Sequence, residues 1–234
     1  MTTKEALAAL EALGSEQTRK IFWKHGAPKS LYGVKVGDMK QLMKQTGKKN
    51  HELAMGLFKS GNGDAMYFAG LIADEQQMTK ADLQQWAEQA KWYMVSEYSV
   101  AWVATESPFA KELAAEWIED ERPHVAAAGW STYSNILAYD KGDLLDEKLV
   151  KRLMQRIEKE IHEVPDRVRY TMNGFLIAVG GYMPELSEDA KATAQRIGKV
   201  VVNMGDTACK VPDAPTYIDK MLIRAPKKKK TVRC

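Results

Sequence analysis

The chain has 234 residues, 45% hydrophobic and 28% charged, which suits a soluble globular protein with ample material for a core. No apolar run approaches the ~20 residues that span a bilayer, and the amphipathic, acid-bearing start MTTKEALAALEALGSEQ is neither a secretory signal nor a transit peptide. Of the 34 basic residues, six (Arg224, Lys227, Lys228, Lys229, Lys230 and Arg233) sit in the C-terminal RAPKKKKTVR, leaving 28 against 31 acidic residues, so the formal +3 hides a body at −3.

Helical periodicity dominates. Ala6, Leu7, Leu10 and Leu13 form one stripe over Thr3 to Leu13. Ser15 caps a second helix with Ile21 and Phe22 facing inward, and SLYGVKVGD is a loop leading to Met39, Leu42 and Met43. Asn50 caps HELAMGLFK, which SGNGD ends with turn residues. Thr79 with Asp82 forms a capping arrangement for a helix through Trp86 and Ala90.

Helices are predicted from Pro108 to Asp120, Pro123 to Tyr139, Asp146 to His162, Pro165 to Val179 and Ser187 to Lys199, the prolines suiting first turns. Lys199 to Asn203 is the best strand candidate, or else a helix end. The pattern predicts an all-α fold, a superhelical stack of antiparallel HEAT-like helix pairs. Its expected boundaries are one domain over residues 1–223 and a basic, disordered tail over 224–234. The tail reads either as solvated chain or as an arm attracted to phosphates.

The window WYMVSEYSVAW, Trp92 to Trp102, concentrates aromatics around Glu97, Ser96 and Ser99. On a helix, Trp92, Met94, Val95, Tyr98, Trp102 and Val103 share an arc, with Tyr93 and Glu97 opposite; a strand would also gather most of the aromatics. Either way the window predicts core packing, with Tyr93 beside Glu97 at a groove. The four tryptophans Trp92, Trp102, Trp117 and Trp130 are expected to be buried between layers, and the run Ala126 to Gly129 to allow close helix approach.

Elsewhere, Lys148, Arg152 and Arg156 recur every four residues, near Lys159, with Arg167 and Arg169 at the next helix start. They read as a phosphate-tracking ridge or, with Glu147, Glu158 and Glu160 interleaved, as a salt-laced exposed helix. His25, His51, His124 and His162 lack metal spacing, and Cys209 and Cys234 make neither a disulfide framework nor a metal site. Ser131 and Ser134 near Tyr133 show no triad pattern. No metal or cofactor is expected, and a reducing cytoplasm is the expected compartment.

Three stretches, LYGVKVGDMKQLMK, VPDRVRYTMNGFLIAVGGY and GKVVVNMGDTACKVPDAPTYIDK, resemble the AlkD-like DNA alkylation repair proteins, in a divergent branch. The resemblance spans about Leu31 to Lys220. It implies a right-handed-twisting superhelix of HEAT-like pairs whose concave basic face holds double-stranded DNA, alkylated or structurally abnormal. It also implies, in catalytic members, release of cationic alkylpurines without base flipping. There a carboxylate beside the deoxyribose stabilises the developing oxocarbenium ion, while aromatic rings contact the sugar and basic residues hold phosphates.

The family's WWDxxD-like helix aligns with YMVSEYS, placing Met94 at the tryptophan and Tyr98 at the aspartate. A later tryptophan is matched by Phe175, and an arginine pair falls near Ala126 and Ala127. The resemblance thus predicts a DNA binder with weak or absent glycosylase activity. Its candidate carboxylates and phenol are Glu97, Asp166 and Tyr98, its groove aromatics Tyr93, Tyr98 and Phe175, and its DNA-binding cations Lys148, Arg152, Arg156, Arg167 and Arg169. The alternative is a helical-repeat scaffold whose partner is a protein.

Overall fold

The computed structural model describes residues 1–140 and 145–233; Cys234 lies outside the described residues. Side-chain caps start several helices, those of Ser15, Asn50 and Thr79 as the sequence predicted. Thr2 closes a capping box on α1 (Thr3–Leu13), Ser15 accepts the Thr18 amide at the start of α2 (Glu16–Lys24), and α3 (Val36–Thr46) follows the predicted loop. Asn50 caps α4 (His51–Lys59), and Asn62 caps α5 (Gly63–Ile72). Thr79 and Asp82 form the capping box of α6 (Lys80–Gln89). In α2, Phe22 packs inward but Ile21 is 50% exposed, because the helix has neighbours on one side only.

The chain continues through a π-helix at Met94–Val100 into α7 (Ala101–Glu106), then α8 (Ala110–Trp117), α9 (Pro123–Ala138) and α10 (Glu147–Glu160). A 17-residue α11 (Asp166–Tyr182) is followed by a single 3₁₀ turn, α12 (Ser187–Ile197) and α13 (Ala214–Arg224). The strand candidate at Lys199 to Asn203 runs as irregular chain; among the described residues no strand forms, only an isolated bridge between Tyr139 and Lys229.

Among the described residues two α-helices, α5 and α13, lie outside the helices predicted from sequence. All ten residues of α5 are buried, so it lacks a polar face. Helix α13 sits behind prolines and turn residues.

The helices stack in pairs in two layers. One layer runs α5, the π-helix with α7, α9, α11 and α13, each packed on the next. Helices α4, α8 and α12 lie against it, on α5, α9 and α11, and α10 packs on α11 and α12. One hydrophobic cluster joins α1 to α9 and a second joins α8 to α13. Trp92, Trp102, Trp117 and Trp130 are all 5% exposed or less, as expected. The small residues of α9 act as foreseen: a Cβ on Gly129 would stand 2.8 Å from the Ile118 amide nitrogen of the neighbouring segment.

The 224–234 tail, expected as disordered chain, is docked over Lys229 to Arg233. Lys229 exchanges backbone hydrogen bonds with Ala138 and Asp140, and Val232 joins the first core cluster. Arg233, its side chain 9% exposed, donates to the Ala73 carbonyl and pairs with Glu75 at 2.8 Å and Glu106 at 3.0 Å. Glu75, in the turn after α5, and Glu106, at the end of α7, thus recruit a charge that the sequence placed either in solvent or on phosphates.

Candidate functional site

The aromatic window is neither a regular α-helix nor a strand. Between Met94 and Val100 the turns widen, as in the π-bulges that often mark functional sites. A close crossing accompanies the widening: a Cβ on Gly70 of α5 would stand 2.4 Å from Ser99 Cβ, so only glycine lets these backbones meet. Ser99 Oγ donates to the Tyr67 carbonyl across that contact. Because a π-turn takes more residues than an α-turn, a wheel drawn at the α-helical period misplaces the side chains beyond Met94.

Glu97 is consequently turned into the protein, its side chain 4% exposed. Arg167, on the first turn of α11, donates through Nε to one carboxylate oxygen at 2.7 Å and through a terminal nitrogen to the other. The guanidinium is also gripped on its faces, 4.3 Å from the Tyr93 ring centroid and 4.5 Å from that of Tyr170. Burial pushes the Glu97 carboxyl up, with the guanidinium acting against it. For Arg167, burial opposes the charge, but the bonds to Glu97 outweigh it and hold the group above its ordinary value.

Beside this pair a cleft of about 180 Å³ opens between the π-helix, α7, α9 and α11. Tyr98, Tyr170, Ser131, Ser134 and Asn135 contribute its polar atoms, with Trp102 as an apolar wall. The Asn135 amide nitrogen is buried without a hydrogen-bond partner. Tyr98 is 37% exposed, its ring edge-on to Trp102 at 5.6 Å. Burial of the remainder, reinforced by Tyr170 and Glu97, pushes its phenol up to about 12, so it stays neutral at pH 7. The cleft therefore offers hydroxyls and an amide, while its carboxylate, Glu97, is neutralised from behind.

Phe175, expected as a groove aromatic, is fully buried, 5.6 Å from Trp130 and 6.1 Å from Tyr133 in edge-on packing. It is two turns beyond Arg167 on α11, and its side of the helix faces α9 rather than the cleft. Tyr98 lines the cleft, whereas Tyr93 lines a neighbouring cavity. Asp166 begins α11 and lies 3.8 Å from Arg169, lining that cavity with Tyr93 and Arg167.

The five cations named from sequence do not converge. Arg169 donates to the carbonyls of Ile161, His162, Val164 and Val201, tying the turn before α11 to the loop after α12. Arg156 pairs with Glu119 and Glu160 and lies 5.9 Å from the Trp130 ring. Arg167 is committed to Glu97. Lys148 and Arg152 are exposed on α10, which lies in the layer opposite the cleft. The period of four thus yields one surface pair and one packed arginine.

Sequence reasoning passed over Tyr170 and Asn135, and read Ser131 and Ser134 of α9 only as lacking a triad. Tyr170 follows Arg167 by three residues, and Ser131, Ser134 and Asn135 are spaced by three and four, so each set shares a helix face. Those spacings were the available signal. A larger cavity, about 810 Å³, opens between α11, α12 and residues 198–213, but its one carboxylate, Asp213, is the N-cap of α13. His124 Nε2 and His162 Nε2 bond carbonyls distant in sequence, those of Glu88 and Ile197, and His25 Nδ1 lies 3.3 Å from Tyr93 Oη. No helix among the described residues is long and apolar enough to cross a membrane.

The chain is 37% identical over 216 residues to two uncharacterized proteins, Lmo0209 of Listeria monocytogenes and Lin0241 of Listeria innocua, covering 90% of this chain and 93% of each relative. It superposes with a TM-score of 0.90, at 37% identity and 100% coverage of both chains, on a solved structure described as a new family of proteins related to the HEAT-like repeat DNA glycosylases with affinity for branched DNA structures. Residues 6–200 match the family described as DNA alkylation repair enzyme. With the stacked helix pairs, these matches place the chain in the DNA alkylation repair enzyme family.

Proposed function

We propose that this protein is a DNA-binding helical-repeat member of its family that engages duplex DNA carrying a branch or another structural abnormality in the cytoplasm, and that it releases alkylated purines weakly or not at all. One observation carries the second half. The cleft where the resemblance puts an aspartate presents the neutral phenol of Tyr98, and the adjacent Glu97 is locked to Arg167. An oxocarbenium-like transition state needs a negative charge aimed at the sugar, and losing one preorganised electrostatic group typically costs ~10²–10³ in rate. Support for the first half is the 0.90 TM-score to a structure described as having affinity for branched DNA.

The test runs two assays on the same protein: release of N3-methyladenine and N7-methylguanine from alkylated duplex, and titration against a four-way junction, a flapped duplex and plain duplex. Binding strongest for the branched substrates, with base release at background, is the expected result. Robust release would overturn the catalytic part, and absence of salt-dependent DNA binding would overturn the whole reading in favour of a protein-binding scaffold.

A further inference from the structure

Trp23, in the last turn of α2, is 39% exposed, whereas the other five tryptophans are 5% exposed or less. It lines a cavity of about 450 Å³ together with Lys24, His25, Lys91, Tyr93 and Arg167, a volume within the range of small-ligand sites. Elements distant in sequence build it: the end of α2, the segment before the π-helix, the start of α11 and the loop at Asn203 to Gly205. The aromatic walls are braced. Trp92 Nε1 donates to the His25 carbonyl at 3.1 Å, Tyr93 Oη is 3.3 Å from His25 Nδ1, and Phe22 packs on Trp92 at 5.4 Å. Arg19 stands over the Trp23 ring at 6.0 Å, supporting the indole from its own helix.

Charge in the cavity is mainly positive. Lys24 and Lys91 are exposed, and Lys24 pairs with Asp206 at 3.5 Å, whose side chain is 90% exposed. Asp166 is the one carboxylate in the lining, and Arg169 lies 3.8 Å from it. An exposed indole beside lysines, backed by a guanidinium–phenol stack, is the chemistry that holds single-stranded nucleic acid: a ring for the base face and cations for the backbone. A paired base hides its faces in the helical stack and cannot reach such a ring; an unpaired one can.

We propose that this cavity binds an unpaired nucleotide of single-stranded DNA, stacking its base on Trp23 with its phosphates at Lys24 and Lys91. Resting on the DNA-binding reading above, the cavity would supply preference for a branch, since flaps and frayed junctions present such nucleotides and intact duplex does not.

Tryptophan emission reads the contact selectively, because Trp23 is the exposed indole. Single-stranded oligothymidylate should quench the emission of the wild-type chain, and Trp23→Phe should abolish that quench while keeping most of the affinity. Trp23→Ala should weaken binding of a flapped duplex roughly 5-fold or more, the low end of base stacking, and Lys91→Gln should weaken it further and lessen its salt dependence. Affinity for fully paired linear duplex should stay unchanged in all three variants. A quench that survives in Trp23→Phe, or flap affinity unchanged in Trp23→Ala, would overturn the site. Equal losses for flapped and paired DNA would also overturn it, by marking the cavity as a general backbone contact while leaving DNA binding itself intact. A wild-type chain that binds neither substrate would sink the DNA-binding reading instead.

Discussion

Arg167→Met removes the guanidinium that neutralises Glu97 and leaves a carboxylate whose side chain is 4% exposed. Breaking a buried ion pair from one side costs about 3–5 kcal/mol, because the remaining charge stays desolvated. The Arg167 side chain is itself 25% exposed, so water can enter the vacated space, and the low end, about 3 kcal/mol, applies. Loss of the stacks on Tyr93 and Tyr170 adds up to about 1 kcal/mol, part of which the methionine sulfur restores through ring contacts. Glu97→Gln should cost less, about 1–2 kcal/mol, since the amide keeps an acceptor toward Arg167. In the double variant the penalties should fall short of their sum by about 1–2 kcal/mol, the signature of direct coupling. Urea denaturation of the four proteins, read as midpoints at constant slope, measures this. An Arg167→Met protein within 0.5 kcal/mol of wild type on the scale of ordinary surface substitutions, or additive penalties in the double variant, would refute the view that this pair is what keeps Glu97 out of the cleft's chemistry.

Base release should remain at background in Glu97→Gln and in Tyr98→Asp. The second variant gains a carboxylate but still lacks the aromatic wall at Met94, and Phe175 stays in the core; a Tyr98→Asp protein that frees alkylpurines efficiently would contradict this. If α10 touches DNA, Lys148→Gln with Arg152→Gln should weaken binding of all sequences alike and lower the salt slope by about one unit per lost phosphate contact; unchanged affinity would leave that helix as solvated surface. Burial alone would raise the Glu75 carboxyl, but Lys49 at 2.5 Å and Arg233 at 2.8 Å hold it below its ordinary value. A depressed folded value stabilises above the unfolded pKa of ~4.3 and loses that contribution as pH falls through the folded value. Wild type should therefore lose more urea stability than Glu75→Gln on acidification below about pH 4, and parallel curves would deny the tail its anchoring role.

The one-dimensional signals fixed what depends on neighbours in sequence. Ser15, Asn50 and Thr79 start their helices because a side-chain oxygen three residues from an orphan amide needs no tertiary context. Stripes such as Leu10 on α1 and Val150, Leu153 and Ile157 on α10 announce helices with one buried face. The four buried tryptophans and the close approach at Gly129 were legible for the same reason. Helix α5 was not, because burial on every side erases amphipathic periodicity.

Whatever depends on partners far along the chain was decided by the tertiary structure. The widened turns at Met94–Val100 occur where Ser99 meets Gly70, and they re-aim Glu97 toward Arg167, seventy residues on. Arg156 and Arg169 look like surface cations in the sequence, yet folding brings Glu119 to Arg156 beside its own-helix partner Glu160, and the Val201 carbonyl to Arg169 beside the carbonyls of the turn before α11. Arg233 belongs by composition to a solvated basic tail, but Glu75 and Glu106 converge where the tail passes and make burial of its charge favourable. A charged side chain's role is set by the charges and carbonyls that folding brings to it, and those are encoded in residues it never adjoins in the chain.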